Sequence, residues 1–175
     1  MKPDAYLQAV KEQLAKDGAT VYEVDLASTH AIVGHISQFK WQWFATRLHL
    51  LTIAVYVPEL NVSTYATIVK EATSYAHTQK SKFHGLQVGL AVNVIIATQA
   101  VDTETIALAA GRPPKEFAKL TTPAVVDLLQ AKCYTYTGRI VWGGIYTSWL
   151  RERLAAALPA IQPRALSEED LELLF

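Results

Sequence analysis

Between Gly85 and Ala110 the chain changes character twice. It becomes almost wholly apolar from Leu90 to Ala97, turns polar at Thr98 and Gln99, and restarts behind Asp102. An apolar run of strand length, with Val92, Val94, Ile95 and Ile96 supplying β-branched side chains, predicts a strand buried on both faces. Asp102 is placed to cap the first amides of a helix over 103–110. A strand covered on both sides and followed at once by a helix predicts a sheet with helices packed against it.

The rest of the pattern fits around that strand. Pro3 suits a first helical turn, Tyr6, Leu7, Val10 and Leu14 recur at helical spacing, and Gly18 follows as a stop. Ala19 to Leu26 alternates, with Val21, Glu23 and Asp25 on one face and Tyr22, Val24 and Leu26 on the other. His30 to Phe39 reads as a second strand. Lys40 to Phe44 reads as a hairpin tip or the start of a third strand, which runs from Arg47 to Val57 and is stopped by Pro58. Asn61 or Ser63 then caps a helix to about Gln79, with Tyr65, Ile68, Val69, Ala72 and Ala76 on one stripe. Beyond Gly111-Arg-Pro-Pro, Glu116 to Leu120 could form one helical turn. Pro123 opens the strand AVVDLL, Lys132 to Thr137 alternates as an edge strand, and Gly138 turns the chain into a strand over Arg139–Ile145. A last helix runs from Ile145 to Leu158 and stops at Pro159.

The expected fold is therefore α/β. It is a single domain over residues 1–158, with a central mixed sheet of about six strands in the order α-β-β-β-α-β-α-β-β-β-α. Residues 159–175 form a linker and a short helix, Ser167-Glu-Glu-Asp offering a capping box before LELLF. That tail either docks on its own protein or serves as an interaction motif for a partner groove.

Composition narrows the classes. Of 175 residues 51% are hydrophobic and 18% charged, against about 25% charged in an ordinary globular domain. This is a chain that can bury a sizeable core. Sixteen basic residues balance sixteen acidic ones, so no overall field attracts nucleic acid or an anionic membrane. A single cysteine, Cys133, excludes an intramolecular disulfide and favours a reducing compartment. The amphipathic N-terminus lacks the apolar segment of a signal peptide, and no apolar run approaches the roughly 20 residues of a membrane span. A cytoplasmic protein is expected.

Four groups of residues come into question for chemistry. Lys40, Trp41, Gln42, Trp43, Phe44, Arg47 and His49 interleave rings with cations, which can hold bases, sugars or phosphates. The same rings can equally pack on the sheet or form a dimer contact, and Trp142 and Trp149 could meet them or lie in the core. Glu23 and Asp25 share a strand face and, with Asp127 and Lys40 elsewhere, supply the groups of a metal-dependent hydrolase. They serve as well as a solvated face. The histidines His30, His35, His49, His77 and His84 are scattered, and none pairs at metal-site spacing. Gly143-Gly144, with Arg139 and Arg151 in reach, could present amides to an anion or simply make a tight turn.

The layout of helix, three-strand meander, helix, buried strand and helix, spanning about Tyr6 to Ala110, resembles the core of restriction-endonuclease-like nucleases. NVIIATQAVDTETIALAA is similar to the segment after their active site. That resemblance implies an acid-x-Lys motif on the third strand, whereas RLHLLTIAVYV holds neither an acid nor a lysine there. The layout is also similar to small secretion-chaperone-like domains, and the sequence as a whole resembles bacterial families without an assigned activity.

The functional expectation is a non-enzymatic interaction or regulatory protein, homodimeric, making contact through Lys40, Trp41, Trp43, Phe44 and Arg47 or through the tail. No metal or other cofactor is expected. The first alternative is a nuclease-like hydrolase holding Mg2+ or Mn2+ with Glu23, Asp25 and Asp127, beside Lys40. The second is a small-ligand-binding domain.

Overall fold

The computed structural model describes residues 2–26, 28–43, 47–80, 88–112, 120–138 and 144–159. Helix α1 (Pro3–Lys16) leads into β1 (Thr20–Leu26), β2 (Thr29–Phe39), a single 3-10 turn at Trp41–Trp43, and β3 (Arg47–Leu60). There follow α2 (Val62–Lys80), β4 (Val88–Val101), α3 (Thr103–Ala110), β5 (Leu120–Asp127), β6 (Lys132–Thr135) and α4 (Gly144–Ala157). The six strands form one mixed sheet in chain order. β1, β2 and β3 run antiparallel, β3, β4 and β5 are parallel, and β6 returns antiparallel.

The local stops and starts follow the side chains. α1 ends before Gly18, whose φ of +84° is the left-handed conformation that costs glycine least. The Asn61 side chain accepts the Thr64 amide at 2.9 Å and starts α2, and Asp102 accepts the Thr105 amide at 2.7 Å and starts α3.

Topology then decides which helix covers which face. The two parallel steps β3–α2–β4 and β4–α3–β5 move along the sheet in the same direction. Right-handed crossovers place both their helices on one face. Leu51, Ile53 and Val55 of β3 and Val92, Val94 and Ile96 of β4 pack there with Ile68, Ala72 and Ala76 of α2 and Ala109 of α3. The opposite face falls to the terminal helices. Ile32, Ala54, Ile95, Ala124 and Val126 meet Tyr6, Val10 and Leu14 of α1 and Leu154 and Ala157 of α4. The result is three layers, with β4 buried on both sides over Leu90–Thr98. Among the described residues no helix is long and apolar enough to cross a membrane.

Element boundaries differ from the sequence reading at the prolines. β3 does not stop at Pro58 but continues to Leu60, because its pairing with β2 has already ended at Val55 and only the β4 side remains to be bonded. Glu59 is thus the sole acid of that strand, and it is exposed. Pro123 lies inside β5, which starts at Leu120. The β6 ladder begins one residue later at Ala124, so Pro123 has no antiparallel partner to bond. β6 ends at Thr135 instead of Thr137. Of the strand expected over Arg139–Ile145, residues 139–143 lie outside the described residues, and Gly144 and Ile145 already belong to α4. Of the helical turn expected over Glu116 to Leu120, residues 116–119 lie outside them and Leu120 already belongs to β5; the tail beyond Pro159 also lies outside them.

Ile95 tests the three-layer reading. It is fully buried at the centre of the sheet, whereas Leu108 of α3 is 49% exposed. Ile95→Ala is expected to lower unfolding free energy in urea by about 2–5 kcal/mol, and Leu108→Ala by under about 0.5 kcal/mol.

Candidate functional site

The structure separates the acidic residues singled out from the sequence. Glu23 and Asp25 lie on edge strand β1 and Asp127 on β5, four strand steps away or roughly 19 Å at about 4.8 Å per step. They also face opposite sides of the sheet. Glu23 meets α1, where Lys11 Nζ bonds its Oε1 at 2.6 Å and His30 stands 3.6 Å from Oε2. The Lys11 hydrogen bond and charge hold the Glu23 carboxyl below its usual range. Asp127 Oδ1 accepts the amides of Leu129 and Gln130, both at 2.9 Å, and shapes the β5–β6 turn. Lys40 is elsewhere again, 4.9 Å from the Trp43 ring centre. Among the described residues no three His, Cys, Asp or Glu gather as a metal site would need.

The aromatic group divides in two. Trp43 is buried and makes edge contacts with Trp149 at 5.3 Å and Tyr146 at 5.2 Å, in a core with Leu48, Leu50, Ala91 and Leu150. Trp149 thus both meets Trp43 and lies in the core. Trp41 points away, 81% exposed, and meets Phe39 (41% exposed) edge-on at 5.4 Å. Arg47 is exposed at the start of β3. Phe44, Trp142, Arg139 and Gly143 lie outside the described residues, and Arg151 donates to the Gly138 carbonyl. Cys133 is fully buried on β6, where burial pushes its thiol up to about 12.

Two polar clusters emerge that no sequence spacing announces. On the α2 and α3 face, β2 and β3 bring His35 and His49 together across fourteen residues of chain. His35 Nε2 and His49 Nδ1 are 3.0 Å apart with ring planes within 9°, so one neutral ring donates and the other accepts. Burial lowers His35. Burial first, then His35 and Arg47, brings His49 down to about 4. Both rings therefore favour the neutral form, which can share or relay a proton.

On the opposite face a polar row crosses the sheet. Gly34, Thr52, Asn93 and Thr122 are successive Cα partners on β2, β3, β4 and β5. This row splits the core of that face. Ile32, Ala54 and Ile95 lie on one side of it and Leu50, Ala91 and Leu150 on the other. Asn93 is 1% exposed, and neither its Nδ2 nor its Oδ1 has a hydrogen-bond partner. Arg153 of α4 sits nearby, its guanidinium 5.8 Å over the Trp149 ring and paired with Asp17 at the end of α1. Asp17, Gly34, Thr52 and Arg153 line one shallow cleft with Leu14 and Leu50. A Cβ on Gly34 would meet Leu14 at 3.0 Å, so the missing side chain lets α1 approach the sheet.

No protein-family model, curated protein or solved structure matches the chain.

The histidine pair makes stability depend on pH. Both folded-state pKa values are lowered, so the unfolded chain takes up protons first. The stabilisation is complete above about pH 6.5 and is lost as pH falls toward about 4. Urea titrations are expected to show this loss, at most about 3.5 kcal/mol for His49 at about 1.4 kcal/mol per pKa unit. His49→Asn should flatten the slope; an equal slope in wild type and variant would assign the loss to other groups.

Proposed function

We propose that the protein is a non-enzymatic interaction protein that associates with itself through the aromatic corner at the end of β2. The observation that carries this reading is Trp41, 81% exposed beside Phe39, with Lys40 and Arg47 flanking the pair. Trp43 and Trp149 are absorbed in the core, so the exposure of Trp41 runs against the general placement of rings in this chain. A tryptophan can bury about 150–250 Å², and tryptophan and arginine are the residues most often found at the energetic centre of interfaces. A second copy suits the patch because the chain carries no net charge, which removes long-range repulsion between copies. A buried lone thiol, Cys133, fits a reducing compartment such as the cytoplasm.

The test is sedimentation equilibrium across a concentration series reaching the millimolar range. Wild type is expected to pass from monomer to dimer, and Trp41→Ala to weaken that step about tenfold or more with its thermal midpoint unchanged. A wild type that stays monomeric throughout, or a variant that dimerises equally, would refute the reading.

A further inference from the structure

The row beneath α4 presents a problem that the fold itself does not solve. Buried polar atoms in folded proteins nearly always find a partner, and each one left without carries the cost of its lost hydration. Here Asn93 Nδ2 and Oδ1, Trp149 Nε1 and Arg153 Nε are all buried and without partners. They belong to one region. Thr52 is the Cα partner of Asn93, Arg153 shares a cleft with Thr52, and the Arg153 guanidinium lies over Trp149. The tally of chemistry is uneven, with three donor nitrogens carrying four N–H bonds against one carbonyl acceptor. An excess of donors, one of them a cation, calls for an acceptor-rich, negatively charged partner.

The cleft is narrow. It leaves no room for a water-sized body, and the Asp17–Arg153 ion pair ties the end of α1 to α4 across it. Arg153 and Asp17 are nevertheless only partly buried, with side chains 28% and 18% exposed, so the pair can exchange with solvent.

We propose that this seam is the closed form of a binding site for a compact oxyanion, a carboxylate or phosphate group. The anion displaces the Asp17 carboxylate from Arg153 and takes hydrogen bonds from the guanidinium, the Trp149 indole and the Asn93 amide. The site lies under α4 and does not depend on self-association through Trp41.

Titration calorimetry and thermal melts with inorganic phosphate and, separately, acetate distinguish the two sources of such a group. At least one is expected to bind saturably at one site per chain and to raise the melting midpoint at physiological salt. Arg153→Gln and Asn93→Leu should each weaken binding about tenfold or more. Asn93→Leu is expected to fold, since it replaces an unpartnered amide with an apolar group of similar volume, and circular dichroism checks this. Lys11→Gln, on the exposed face of α1, should bind like wild type. The inference is overturned if neither anion binds saturably, or if Arg153→Gln and Asn93→Leu bind as wild type does. It is also overturned if a crystal structure grown in phosphate or acetate shows Asn93 satisfied by ordered water alone.

Discussion

The structure depends on the parallel ladder between β3 and β4, from Arg47–Val88 to Leu60–Val101. Both strands are apolar on both faces over most of that length, so neither face can be left to water. Parallel pairing also demands a long crossover, which α2 supplies in nineteen residues. With β5 added by a second crossover in the same direction, one face is closed by α2 and α3. Among the described residues the other face is covered by α1 and α4. The packing of α1 beside α4, and the Asp17–Arg153 pair that joins them, follow from that ladder.

The same ladder explains where polarity is concentrated. Adjacent residues on a strand point to opposite faces. Gly34 and His35 on β2, and Thr52 and His49 on β3, therefore put two polar insets on opposite faces of the sheet. One is the hydrogen-bonded pair His35–His49, the other the row Gly34–Thr52–Asn93–Thr122. The C-terminal ends of the parallel strands are occupied differently. There Asp102 caps α3, Asp127 shapes a turn, and Thr98 Oγ1 bonds the Pro58 and Ala100 carbonyls. These three side chains are thus spent on backbone amides and carbonyls. The groups still open to chemistry lie toward the other end, with the aromatic corner of Phe39 and Trp41.

What the sequence determined by itself was everything governed by local periodicity. Leu90–Ala97 announced a doubly covered strand, Tyr6, Val10 and Leu14 a helix stripe, Asp102 one helix cap and Asn61 or Ser63 another, since each signal is complete within a few residues. Two prolines misled the reading because a proline ends a strand only where its missing N–H would have been bonded. Whether it would have been is set by a neighbouring strand elsewhere in the chain. The candidate site was illegible for the same reason. Only strand register could put His35 against His49, align Thr52 with Asn93, send Glu23 and Asp127 to opposite faces, and bury Trp43 while leaving Trp41 in water. Those pairings are contacts between distant segments, and the hydrogen-bonded sheet, not the spacing of residues along the chain, decided them.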